Sequence, residues 1–144
     1  MADARTFSIN DVIVSVDGVR ISGLSNSDPV QCTLKGDDTA LTDGCNGDVA
    51  ISHLNNNSAD LTLKTLQTSP DNAVLDAAFK AILDARRGSF ALEVFDSRGE
   101  TLIMMSQAVP KKRPDVSMAP EAGEREWQFH GRVDAWNVKG NELA

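Results

Sequence analysis

Apolar and polar residues alternate with period two along most of this chain and follow a helical period in one place, between Ala59 and Asp96. In ADLTLKTL, Leu61 and Leu63 share one face and Asp60, Thr62 and Lys64 the other, which predicts a half-buried strand. TSPDNAVLDAAFKAIL then brings Val74, Leu75, Ala78, Phe79, Ile82 and Leu83 onto one stripe, with Asp76, Lys80 and Asp84 away from it. This predicts a helix over 69–86, capped by Thr68 or Ser69, with Pro70 and Asp71 in its first turn. With Thr68 as cap, Asp71 stands where a capping-box acid belongs. Arg86 and Arg87 suit the negative end of the helix dipole, and Gly88 suits its exit. SFALEVFD resumes the strand pattern, with Phe90, Leu92 and Val94 on one face. No other stretch reads as helical, so the remainder predicts strands and loops around this single helix.

Upstream, DVIVSVDGVRISG predicts a hairpin, because Asp17-Gly18 is a dipeptide that tolerates the positive φ a two-residue turn requires. Pairing outward puts Val16 opposite Val19 and Val14 opposite Ile21, on one face with Val12. Ser15, Arg20 and Ser22 take the other face with Ile13. LSNSDP is a turn cluster and VQCTL a strand. From Lys35 to Asp48 the glycines and aspartates argue against a regular element and predict a projecting contact loop. Its acids lack the ladder and the twelfth-position Glu of a calcium loop. VAISHL is a short strand and NNNS a polar turn.

Downstream, SRGE predicts a turn into TLIMMSQA. That strand is apolar on both faces, with Leu102 and Met104 on one and Ile103 and Met105 on the other, so it is central or covered by a neighbouring chain. A proline-rich connection follows at 109–124, with the basic run Lys111, Lys112 and Arg113. The chain closes on EREWQFHGRVDAWNV, one long strand with Trp127, Phe129, Val133 and Ala135 on one face. Glu126, Gln128, His130, Arg132 and Asp134 lie on the other, and Gly131 marks a bend or bulge.

Composition narrows the function. At 144 residues, 41% of them hydrophobic and 24% charged, residues 1–144 suit one globular domain. No apolar run is long enough to cross a bilayer. MADARTFSIND is not a signal peptide, so synthesis in a cytoplasm is expected. A formal net charge of −7 argues against a groove built to grip phosphates. Cys32 and Cys45 are expected to be reduced thiols. No nucleophile elbow, phosphate loop or dinucleotide fingerprint is present. His53 and His130 stand alone, and the two cysteines lack the close spacing of a zinc site. No catalytic residue, metal or cofactor is predicted.

Five pieces occur in one order: FSINDVIVSVDGVRISG, the G-x-x-G-D-V turn at Gly44 to Val49, SHLNNNSADLTL, LQTSPDNAVLDAAF and REWQF. Together, over roughly Phe7 to Val138, they resemble the tail tube proteins of contractile-tailed bacteriophages, in the branch of phage structural proteins. The type VI secretion tube protein is similar. The resemblance implies a mainly β fold of two packed antiparallel sheets, barrel-like, flanked by one helix. It implies hexameric rings whose joined sheets line a channel, stacked into a tube inside a sheath, with DNA leaving the capsid through the lumen. The implied partners are further copies of the chain, the tail sheath protein, and baseplate and tail terminator proteins. DNA would pass without specific binding, no membrane is involved, and the place is the virion tail, assembled in the host cytoplasm.

Because the family supplies no catalytic residues, roles are placed by physics. The best alternating segments assign Ser15, Arg20, Ser22, Asp60, Thr62 and Lys64 to the lumen. Lys35, Asp37, Asp38, Leu41, Asp43 and Asp48 form the inter-subunit loop. A lumen of the same sign as DNA lets it slide, and six copies at −7 each give −42 per ring. Three other readings stay open at this point. They are a β-sandwich module that binds a protein through the 35–48 loop, a small enzyme, and a tube-initiator or baseplate protein of the same fold.

Overall fold

The computed structural model describes residues 7–25, 29–97, 99 and 101–139. The chain order is a 3-10 turn at Ile9–Asp11, β1 (Val12–Val16), β2 (Val19–Ile21), β3 (Val30–Leu34), β4 (Thr39–Asp43), β5 (Val49–His53) and β6 (Ser58–Leu66). Then come α1 (Asp71–Ala85), β7 (Phe90–Asp96), β8 (Leu102–Lys112), β9 (Glu124–Arg132) and β10 (Ala135–Asn137). The fold is mainly β, with two sheets and one helix. The main sheet runs β2-β1-β7-β8-β9-β6-β3, with β10 also on β8, and every pairing in it is antiparallel. The second sheet is the β4–β5 hairpin.

The layers arise because the main sheet rolls over one core. Val30 and Cys32 on β3 line the same small cavity as Val12 on β1 and Val94 on β7, so the two ends of the strand order face each other. The segment leaving β2 closes the roll: Leu24 bridges Thr65 on β6, and the Leu66 N–H donates to the Gly23 carbonyl at 3.0 Å. Inward residues from both arms merge in one apolar cluster. Strand β8 belongs to both arms. Its first half pairs with β7 and β10 and its second half with β9, which makes it central in the strand order; Ile103 and Met105 are buried in the core, whereas Leu102 is half-buried and Met104 exposed on the outer face.

Asp17 and Gly18 adopt φ of 50° and 80°, as the predicted turn requires. Val14, Val16 and Ile21 are buried, whereas Val19 at the tip is exposed. The helix starts two residues later than expected. Pro70 stands at its N-cap, Ser69, just before it, accepts the Asp71 N–H on its Oγ at 3.2 Å, and the Asp71 side chain accepts from the Ser22 N–H instead of capping the helix. Leu75 and Phe79 are buried, and Phe79 sits among Phe90, Trp127 and Phe129 with ring centroids 5.0–5.7 Å apart. Val74 and Leu83, expected on the buried stripe, are exposed. Arg86, not Gly88, takes the left-handed position directly after the helix, and Gly88 follows with φ of 99°.

Four further expectations are corrected. The 35–48 segment is not a loop throughout, because Thr39–Asp43 forms a strand paired with Val49–His53. The proline-rich connection starts later than 109, since β8 continues to Lys112 with Pro110 inside it. The last strand is two strands: β9 ends at Arg132, the chain turns through Val133 and Asp134, and Trp136 rather than Ala135 packs on the core. Gly131 carries no bulge. A Cβ there would lie 2.3 Å from the Gln107 carbonyl oxygen and 2.7 Å from Ala108 Cα, so the glycine allows β8 and β9 to approach. The expected turns at 24–29 and 97–100 include 26–28, Arg98 and Glu100, which lie outside the described residues, as do the first six residues of the N-terminus.

Candidate assembly surfaces

Four neighbouring strands, β3, β6, β9 and β8, turn a polar face away from the core. Along β6 this face carries Asp60, Thr62 and Lys64, directly opposite His130, Gln128 and Glu126 of β9. Thr33 and Gln31 of β3 stand on the other side of Asp60 and Thr62. Lys64 and Glu126 are a cross-strand pair of opposite charge.

A small charge network organises this face. Lys35 Nζ lies 3.3 Å from Asp60 Oδ1, as an ion pair without hydrogen-bond geometry, and Lys111 Nζ donates to Oδ2 at 3.3 Å. Partial burial works to raise the Asp60 pKa, but the two lysines outweigh it and hold the carboxyl below its ordinary value. Lys35 Nζ also sits 3.0 Å from His130 Nδ1. Burial and then the Lys35 charge lower the His130 pKa, which keeps the ring neutral at pH 7. The face is therefore mixed in charge rather than acidic, and the acidic excess of the chain is carried elsewhere.

The six residues assigned to a lumen fall into separate places. Asp60, Thr62 and Lys64 share the face just described. Ser15 lies on the opposite arm, between Arg20 of β2 and Glu93 of β7. Three strands, β7, β8 and β9, separate it from β6. Ser22 is at the helix start, where its N–H donates to Asp71 Oδ2 at 2.8 Å and the Gly23 N–H donates to the same oxygen at 3.0 Å.

The expected contact residues also divide. Lys35 belongs to the charge network on the main sheet. Leu41 and Asp43 are on β4, while Asp37 and Asp38 precede it and Asp48 precedes β5. The Asp38 carbonyl accepts the Leu54 N–H at 2.8 Å, and the Asp37 carbonyl accepts Asn56 Nδ2 at 2.6 Å, which closes the hairpin base. Leu41 pairs with Ile51, and with Val49 they make an apolar stripe that is 53–67% exposed. No part of the described chain covers it.

Sequence reasoning missed the joint between helix and sheet. Asn72 Oδ1 accepts from Trp127 Nε1 at 3.1 Å and from buried Thr65 Oγ1, while its Nδ2 donates to the Leu66 and Gln67 carbonyls. An Asn in a first helical turn is too common to mark such a hub. Both cysteines are free thiols, and burial pushes the Cys32 pKa up to about 11. Among the described residues no group of three His, Cys, Asp or Glu side chains is placed to hold a metal, and no helix is long and apolar enough to cross a membrane.

Several solved structures share this fold, among them the following three. The tube-terminating cap of the anti-feeding prophage superposes with a TM-score of 0.65 at 14% identity, covering 92% of each chain. The sheath/tube terminator of the extracellular contractile injection system PVC, in its extended state, gives 0.62 at 18% identity, covering 92% of this chain and 97% of that one. The extended sheath–tube complex of PVC gives 0.58 at 14% identity, covering 94% and 92%. Among curated proteins, none matches the sequence. The sequence model of the bacteriophage PhiTE tail tube protein matches residues 4–136, nearly the whole chain. With a rolled β fold, an uncovered hairpin and a broad polar face behind that match, this chain belongs to the PhiTE tail tube protein family.

Proposed function

We propose that the chain is the ring-forming subunit of a phage tail tube, and that the polar face of β3, β6, β9 and β8 lines the lumen through which DNA passes. The observation that carries this reading is the pair of free edges on that four-strand face. The sheet order ends at β3, and on the far side β7 stops pairing with β8 at Ala108, leaving Val109–Lys112 open. Joining the β3 edge of one copy to the β8 edge of the next extends the sheet, and a closed ring removes both exposed edges. Six copies make the ring. The apolar stripe of the β4–β5 hairpin packs on another copy, rings stack head to tail, and the sheath, baseplate and terminator proteins bind the finished tube. Lys35 and Lys111 share Asp60, Lys64 stands opposite Glu126 and His130 is neutral, so little net positive charge is left to hold phosphates and DNA slides without specific binding.

The likeness to a tube cap and a terminator supports a second reading, a protein that ends the tube. Electron microscopy of the concentrated protein separates the two. Long hollow tubes are expected from a tube subunit and isolated rings from a terminator. A monomer at every concentration, absent from purified tails, would sink both.

A further inference from the structure

Resting on the tube reading above, we infer that the acidic β4–β5 hairpin of one copy docks into a basic groove at the opposite end of the next copy. The groove, of about 880 Å³, lies between α1 and the segment that leaves β8. Its apolar part includes Leu83, Pro114 and Val116, with Trp127 at its base. Lys112, Arg113 and Arg125 stand on its rim against a single acid, Asp76. Lys112 is matched by Asp115 at 3.3 Å, and Asp76 is already held by Lys80 at 3.0 Å. Neither Arg113 nor Arg125 makes an ion pair among the described residues.

The hairpin is the complement. From Gly36 to Leu54 the sequence holds Asp37, Asp38, Asp43 and Asp48 and no lysine or arginine. Its stripe of Leu41, Val49 and Ile51 matches an apolar floor, and its acids match a rim with two guanidinium groups that have no carboxylate partner among the described residues, Arg125 donating only to the Glu124 carbonyl at 3.3 Å. Position supports the pairing. The hairpin is attached at the Ser58 end of β6, where Lys35 N–H donates to the Ser58 carbonyl at 2.9 Å. The groove lies toward the Leu66 end, beside Gln67, Arg125 and Trp127. A nine-residue strand separates these ends by about 26 Å, so the hairpin is placed to reach the groove of another copy rather than its own. Two different patches at opposite poles make a heterologous contact, which propagates as a stack.

The test uses the full chain. Cys45 sits at the exposed hairpin tip, and Val116→Cys places a second thiol on the groove edge. A short bismaleimide should link V116C chains into a ladder on a denaturing gel, and the ladder should vanish with Cys45→Ser. Arg113→Glu with Arg125→Glu should reduce the assembled fraction at least tenfold while the melting curve shows a folded chain. Adding Asp43→Lys and Asp48→Lys to that chain should restore assembly. Stacked rings or tubes that give no Cys45–V116C link, or that tolerate the charge reversal, overturn this contact and leave the tube reading standing. Isolated rings that never stack overturn the contact in favour of a terminator. A wild-type chain that forms no ring at all removes the tube reading and this contact with it.

Discussion

Trp127 Nε1 donates to Asn72 Oδ1 at 3.1 Å, and this bond ties the first turn of the helix to the middle of the sheet. Buried Thr65 shares the same acceptor, and the Asn72 amide also holds the Leu66 and Gln67 carbonyls. Asn72→Ala therefore removes every partner at once and leaves an indole N–H and a hydroxyl unsatisfied. Stranding buried donors costs about 1–3 kcal/mol each before relaxation, and water entering the cavity offsets part of it. The expected outcome is a lower urea midpoint, equivalent to about 2–3 kcal/mol, with Asn72→Asp in between. A loss below about 0.5 kcal/mol, within the range of an ordinary surface change, would show that the joint is not structural.

The second prediction concerns acid. Partial burial works to raise the Asp71 pKa, but the Ser22 and Gly23 N–H groups and the Ser22 hydroxyl outweigh it and hold the carboxyl below its ordinary value. A depressed folded pKa stabilises the fold above the unfolded value of about 3.9 and loses that contribution as pH falls through the folded pKa. Asp60 behaves alike through Lys35 and Lys111. Urea midpoints measured against pH should fall below about pH 4, and the wild-type and Asp71→Asn curves should converge in stronger acid, once Asp71 is protonated in the folded chain as well. Curves that stay parallel into strong acid would remove Asp71 from the account.

How much of this was legible in the sequence depends on the range of the cause. The Asp17-Gly18 turn and the Leu61/Leu63 face were readable because positive φ and period two are local properties. The β4–β5 hairpin was legible only in part: Val49–His53 read as a strand, but its partner Thr39–Asp43 read as a loop. Both of its faces are exposed within the subunit, so no buried stripe sets it apart from a loop, and flanking glycines look like breakers. Nor could alternation tell Ser15 from Thr62. Each is outward on its own strand, and only the rolled order β1-β7-β8-β9-β6 places them on different arms.

Gly131 gives the third prediction. Its missing side chain admits the β8 backbone, with the Gln107 carbonyl oxygen 2.3 Å from where a Cβ would stand. Backbone cannot swing aside as a flexible side chain can. Gly131→Ala should therefore push β8 and β9 apart and cost about 1–3 kcal/mol, the usual range for overpacking, with Gly131→Val worse. Thermal melting checks this, and an unchanged midpoint for the alanine variant would contradict it.

The last prediction decides which polar face meets the channel. Thr62 lies in the middle of the β3-β6-β9-β8 face, with Gln128 and Gln31 on either side, and Ser15 lies on the other arm. If the four-strand face lines a lumen, Ser15 faces away from it. The probe is a single cysteine at either position. The background is Cys45→Ser, because Cys45 is exposed, whereas burial raises the Cys32 thiol to about 11 and leaves it almost wholly protonated at neutral pH. In assembled tubes with capped ends, Thr62→Cys should react with a small maleimide and resist one carried on a polymer too large for the channel. Ser15→Cys is expected either to accept both reagents or to be shielded from both by contact with another protein. Unassembled subunits should accept both reagents at both positions, which separates channel exclusion from simple burial. Size exclusion at Ser15 with free access at Thr62 would reverse the assignment and turn the subunit inside out. Equal access at both would mean that neither face lines the channel.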